Sequence, residues 1–95
     1  MRKGFFSYAF FEVIFVTVKE AVAQRFRDLC EERGICANEL ANRAGVTPSS
    51  VYSMLDPRRK EVSVNLVKKL SDGLDITLGE FFSAEIFDAL EQEIQ

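Results

Sequence analysis

Two neighbouring stretches hold the side chains best suited to chemistry. Residues 47–53 read Thr-Pro-Ser-Ser-Val-Tyr-Ser, five hydroxyls in seven positions, and residues 57–60 read Pro-Arg-Arg-Lys, three consecutive cations behind a proline. Hydroxyls both donate and accept hydrogen bonds, so they suit polar surfaces of varied pattern. A run of cations suits phosphate or carboxylate oxygens. Neither set performs acid–base catalysis at neutral pH. The chain has no histidine, the side chain that serves most often as general base and metal ligand. No carboxylate pair, nucleophile–base set or phosphate loop stands out, so the sequence reads as a non-enzyme with no cofactor and no metal. Cys30 and Cys36 are its two cysteines; they do not form a CxxC pair, and two are too few for a disulfide framework. They read as small buried hydrophobes in a reducing cytoplasm, with a redox-sensor pair as the alternative.

What positions these side chains is a series of short helices. Val18, Val22, Phe26 and Leu29 recur at helical spacing and predict a first helix from Val18 to Arg33, stopped by Gly34. Ala37, Leu40, Ala41 and Ala44 make a second, short helix with a narrow stripe of small residues that permits close approach of another helix. Gly45 supplies the left-handed residue that the following turn needs. Thr47 is a good N-cap and Pro48 sits at the first helical position, where its missing N–H is harmless. Val51, Met54 and Leu55 give this third helix a buried side, and Pro57 ends it by Asp56. Ser49, Ser50, Tyr52 and Ser53 are left for its outer surface. Two tight helices joined by a glycine turn, the second with a small polar outer face, form a helix-turn-helix. Ser63 caps a fourth helix with Val64, Val67 and Leu70 or Leu74 inward, and Lys68 and Lys69 on a solvated face. Thr77 and Glu80 fit a capping box for a short fifth helix ending at Phe81-Phe82. Ser83 caps a last helix striped by Ile86, Leu90 and Ile94, with Phe87 beside them.

Length and charge are compatible with this plan. A chain of 95 residues is one domain by expectation and large enough for a core without crosslinks. The net charge of −3 hides a gradient: residues 18–70 sum to +3, residues 71–95 to −7 and residues 1–17 to +1. The acidic tail points away from any polyanion, and its stripe packs back on the domain or forms a dimer seam. Residues 5–18, FFSYAFFEVIFVTV, are short for a bilayer span and carry Glu12, so no membrane is expected as a partner. Arg2 and Lys3 before the run and Ala21-Val22-Ala23 after it outline a signal peptide, but cleavage there would cut into the first helix. Another reading is that the extension is not natively translated: Val16 can be encoded by a GUG start, with Glu12-Val13 written as a ribosome-binding sequence. A third is an arm that packs on the domain or on a second copy.

The chain resembles the Xre family, the Cro and phage-repressor type of helix-turn-helix, from about Val22 to Phe82. The resemblance rests on Gly34-Ile35, Glu39-Leu40-Ala41, Ala44-Gly45-Val46, Ser49-Ser50-Val51, Ser63, Leu70, Leu74, Ile76, and Leu78 with Glu80-Phe81-Phe82, which fall in register without a gap. It implies an all-α, five-helix, phage-repressor-like domain over residues 18–82, between an apolar N-terminal extension at 1–17 and an acidic amphipathic helix at 83–95. Departures are specific. Cys36-Ala37 stands where the family often has Thr-Gln, whose glutamine contacts phosphate and braces the recognition helix. Pro48 replaces a longer polar or basic residue. Gly73 replaces an alanine, which is expected to loosen the end of the fourth helix.

The function implied is that of a cytoplasmic, sequence-specific DNA-binding transcriptional regulator, a repressor, binding double-stranded DNA as a homodimer. Residues 47–55 are its recognition helix. Thr47, Pro48, Ser49, Ser50, Tyr52 and Ser53 are expected at base edges. Ala37 and Asn38, through backbone N–H groups, and Arg43, Arg58, Arg59 and Lys60 are expected at phosphates. No arginine or glutamine is placed for a bidentate base contact, each worth about 1–3 kcal/mol, so discrimination per half-site is expected to be low. Two other readings compete: an antitoxin that masks a toxin or another protein partner with an apolar segment, and a protein-interaction module that has lost DNA binding.

Overall fold

Local caps set the helix boundaries in the computed structural model, which describes residues 17–90. The described residues form six helices and no strand: α1 Val18–Arg33, α2 Ala37–Ala44, α3 Pro48–Leu55, α4 Val64–Gly73, α5 Leu78–Phe81 and α6 Glu85–Asp88. Helix α1 opens on a capping box, the Glu20 N–H donating to Thr17 Oγ1 at 3.2 Å and the Thr17 N–H to Glu20 Oε1 at 2.9 Å. It closes on Gly34 at φ 67°, with the Ile35 N–H reaching back to the Cys30 carbonyl at 3.0 Å. Helix α2 ends the same way, on Gly45 at φ 72° with Val46 N–H on the Ala41 carbonyl. Both are Schellman closures, which need a left-handed residue that glycine adopts without penalty. Thr47 and Ser63 cap α3 and α4, and Thr77 with Glu80 forms a second capping box at α5. The all-α fold is as expected.

The core lies between α1 and the helices laid across it. Val22, Ala23, Phe26 and Leu29 of α1 meet Leu40 and Ala41 of α2, Val51 and Met54 of α3, and Val67, Leu70 and Leu74 around α4. Phe81 closes one end, its ring centroid 4.4 Å from that of Phe26 and fully buried. Arg25 fastens this end by donating to the carbonyls of Phe81, at 2.8 Å, and Glu80, at 2.9 Å, at the C-terminus of α5. Helix α6 packs on α1, so the described part of the tail turns back onto the domain.

Several expectations are corrected. Val64 is 70% exposed: it fits the α4 spacing but lies on the solvent side of the first turn, whereas Leu66 of the same turn packs against the core. Val18 is also exposed, and the buried stripe of α1 instead begins at Lys19, which is 3% exposed. Cys36 is exposed rather than buried, while Cys30 is half-buried and burial raises its thiol pKa. Ser83 does not cap the last helix. Its hydroxyl donates to the Glu80 carbonyl at 2.7 Å, and the cap of α6 is Ala84, with no side-chain hydrogen bond. That helix is a single turn. Gly73 also has a packing role that the sequence did not show, because a Cβ there would lie 2.9 Å from the backbone nitrogen of Ala44. The expectations for residues 1–16, including the Val16 start and the arm, and for Ile94 lie outside the described residues. Among the described residues no helix is long and apolar enough to cross a membrane.

Candidate functional site

The N-terminal end of α3 is a cluster of hydroxyls on a small frame. Thr47 Oγ1 accepts from the Ser50 N–H at 3.3 Å and lies 3.1 Å from Ser49 Oγ and 2.9 Å from Ser50 Oγ. The three hydroxyls therefore hold one another, and each keeps capacity for another partner. Thr47, Pro48, Ser49 and Tyr52 are exposed; Ser50 and Ser53 are half-buried. The outer face expected for these six residues is thus a rim of four with two set back. Ser50 and Ser53, together with the exposed Ser49, line an open groove of about 420 Å³ whose far wall is Ser63 and, from α4, Asn65, Leu66 and Lys69. Lys69, read from the sequence as part of a solvated face, faces this groove, whereas Lys68 pairs with Asp72 at 2.6 Å. No sequence signal links α4 to the reading face; the groove follows from how α3 and α4 sit on the core.

The basic turn lies just past the C-terminal end of α3. Arg58, Arg59 and Lys60 are all exposed. Arg58 grips Asp56 through Nη2–Oδ2 at 3.0 Å and Nε–Oδ1 at 3.2 Å, and its backbone N–H donates to Oδ1 at 2.9 Å. The side-chain bonds first, and the backbone bond second, push the Asp56 carboxyl down to about 2 from 3.8. Reciprocally, the carboxylate raises the Arg58 pKa. Arg59 and Lys60 form no ion pair among the described residues. Two of the cations expected to meet phosphates are therefore already engaged, since Arg43 is held by Glu39 one helical turn away, at 3.1 Å. Both pairs are exposed to solvent, where ion pairs are weak and screened by salt.

At the start of α2, Cys36 supplies no side-chain cap. The N–H groups opening this helix, those of Ala37 and Asn38 among them, thus lack the side-chain acceptor that Thr47 and Ser63 give α3 and α4. The helix-turn-helix therefore presents one hydroxyl-rich helix end, one uncapped helix end and one cationic turn. No group of three or more metal-ligating side chains exists among the described residues.

A family model of the Cro/C1-type HTH DNA-binding domain matches residues 25–85. No curated protein and no solved structure matches the chain.

Proposed function

The chain belongs to the Cro/C1-type helix-turn-helix DNA-binding family, and on that premise we propose that it is a sequence-specific transcriptional regulator that represses by occupying its operator as a homodimer. The observation that carries the reading is the exposed, slim end of α3, with Thr47, Pro48, Ser49 and Tyr52 outermost and the Arg58–Lys60 turn beyond the other end of the same helix. In this reading α3 enters the major groove from its N-terminus. Thr47, Ser49, Ser50 and Ser53 exchange hydrogen bonds with base edges, and the carbons of Thr47 and Pro48 meet thymine methyl groups. The N–H groups of Ala37 and Asn38 and the side chains of Arg43, Arg58, Arg59 and Lys60 bind phosphates on either side. Asn65 and Lys69, at the rim of the groove beside α3, join them. Arg43 and Arg58 exchange carboxylate partners for phosphate on binding. Hydroxyl contacts discriminate weakly, so two half-sites related by a two-fold axis, together with DNA shape, supply the remaining specificity.

The test is salt-dependent binding of the purified protein to duplex genomic fragments, read by fluorescence anisotropy. The logarithm of the affinity should fall linearly with that of salt concentration, by about 0.9 per phosphate neutralised. Arg59→Gln and Lys60→Gln should each flatten that slope by about one, and the Arg58→Gln/Arg59→Gln double variant should lose binding at moderate salt. If no fragment binds at low salt, the proposal fails and the protein-interaction reading takes its place.

A further inference from the structure

Helix α3 is held at its two ends by different means. Its N-terminus is capped locally by Thr47, whereas its last turn contains no basic residue of its own. The cations that serve that end come from α1. Lys19 Nζ donates to the Asp56 carbonyl at 2.6 Å, and Arg27 Nη2 donates to the Leu55 carbonyl at 2.9 Å. These are adjacent carbonyls at the C-terminus of α3, where the helix dipole favours positive charge; the Asp56 carbonyl also accepts from the Arg59 N–H at 3.0 Å. Lys19 and Arg27 stand eight positions apart, about 12 Å along α1, and their side chains converge on one point.

Lys19 is an improbable choice for stability alone. Its side chain is buried, and burial lowers its pKa below 10.5, opposed by Asp56 and reinforced by the positive charges of Arg27 and Lys60. An unbranched apolar residue would fill the same space without desolvating a charge. What the ammonium supplies is direction: a donor aimed at one backbone oxygen. That oxygen belongs to Asp56, whose carboxylate in turn holds Arg58, so one contact orients both the end of α3 and the base of the cationic turn.

We propose that Lys19 and Arg27 are positioning residues for DNA recognition, setting from α1 the angle at which α3 presents Thr47, Ser49 and Ser53. The proposal rests on the DNA-binding function argued above. Helix α3 is about 12 Å long, so a tilt of about 5° at the anchored end moves the reading end by about 1 Å. A shift of that size misaligns hydrogen bonds to bases while leaving the long, flexible side chains that contact phosphates within reach.

The experiment uses the full chain, a duplex recovered by the wild-type protein from a randomised pool, and mixed-sequence DNA as the non-specific comparison. Lys19→Met and Arg27→Met should each bind the selected duplex about tenfold more weakly, the effect of spoiling about one base contact. Each should bind mixed DNA within about twofold of wild type, with an unchanged salt slope on the selected duplex. Thermal unfolding of each variant identifies the folded protein to be compared, and Arg27→Met decides the matter if Lys19→Met does not fold. A folded Arg27→Met that binds the selected duplex as wild type does overturns the proposal, as does a loss that falls equally on selected and mixed DNA, the result of a merely structural role. Failure of the wild type to bind or select any duplex is a different outcome and removes the DNA-binding reading itself.

Discussion

Replacing Gly73 with alanine adds one methyl group at the end of α4, and the direction of its effect tests the packing described above. In an exposed helix the change is favourable by up to about 1 kcal/mol, because alanine propagates a helix better than glycine. Here the new Cβ would stand 2.9 Å from the backbone nitrogen of Ala44 and 3.0 Å from its Cα and from the Arg43 carbonyl carbon. Non-bonded carbons reach optimal separation at about 3.5–4.0 Å, so the two helices must part by about 0.5–1 Å. The obstruction is backbone rather than a flexible side-chain tip, and it cannot rotate away. Overpacking of this kind costs about 1–3 kcal/mol. Set against the propensity gain, the net effect is a destabilisation centred on about 1 kcal/mol and reaching about 2 kcal/mol, with about 4–8 °C of Tm lost per kcal/mol in a domain of this size. Urea and thermal unfolding followed by far-UV circular dichroism measure it. An alanine variant with a higher Tm than wild type would refute the close approach of α2 and α4.

Two further outcomes follow from backbone and charge. Asp75 holds the left-handed position after α4 at φ 64°, with the Ile76 N–H closing onto the Ser71 carbonyl at 3.1 Å; relieving a left-handed L-residue returns about 1–2 kcal/mol, less the added freedom of the unfolded chain, so Asp75→Gly should stabilise by about 0.5 kcal/mol in the same assays, and any loss of stability counts against that geometry. The Asp56 carboxyl should titrate with a midpoint of about 2 rather than 3.8. Because the folded value is the lower one, the Arg58 clamp contributes fully above about pH 4 and is lost as pH falls toward 2. Carbon-detected NMR titration should find that midpoint, and Arg58→Gln should return it toward 3.8; a wild-type midpoint already near 3.8 would mean that the clamp is not formed in solution.

The amino-acid sequence by itself determined where the first five helices begin and that Thr47, Pro48, Ser49 and Tyr52 lie on the outer side of α3, because the signals for both are local. Gly34 and Gly45 accept the left-handed turn, Thr47 with Pro48 starts α3, Ser63 starts α4, and Thr77 with Glu80 starts α5. Each acts within about one turn of helix, a distance over which the chain order is also the spatial order. The cations of the turn were visible for the same reason. Their engagement was not anticipated, although Asp56 lies only two residues from Arg58. The tertiary structure alone decided which member of a stripe is covered. Val64 matches the spacing of its helix and faces solvent, whereas Lys19 breaks the apolar pattern and is buried, because its acceptor belongs to a residue 37 positions away. Ser50 and Ser53 are set back from the rim, and Lys69 faces their groove, through the placement of α4 beside α3 across the basic turn. Gly73 acquires its purpose only against the backbone of Ala44. Periodicity states how often a helix shows one side, but what lies opposite is fixed by contacts between distant segments, and these exist only once the core has closed.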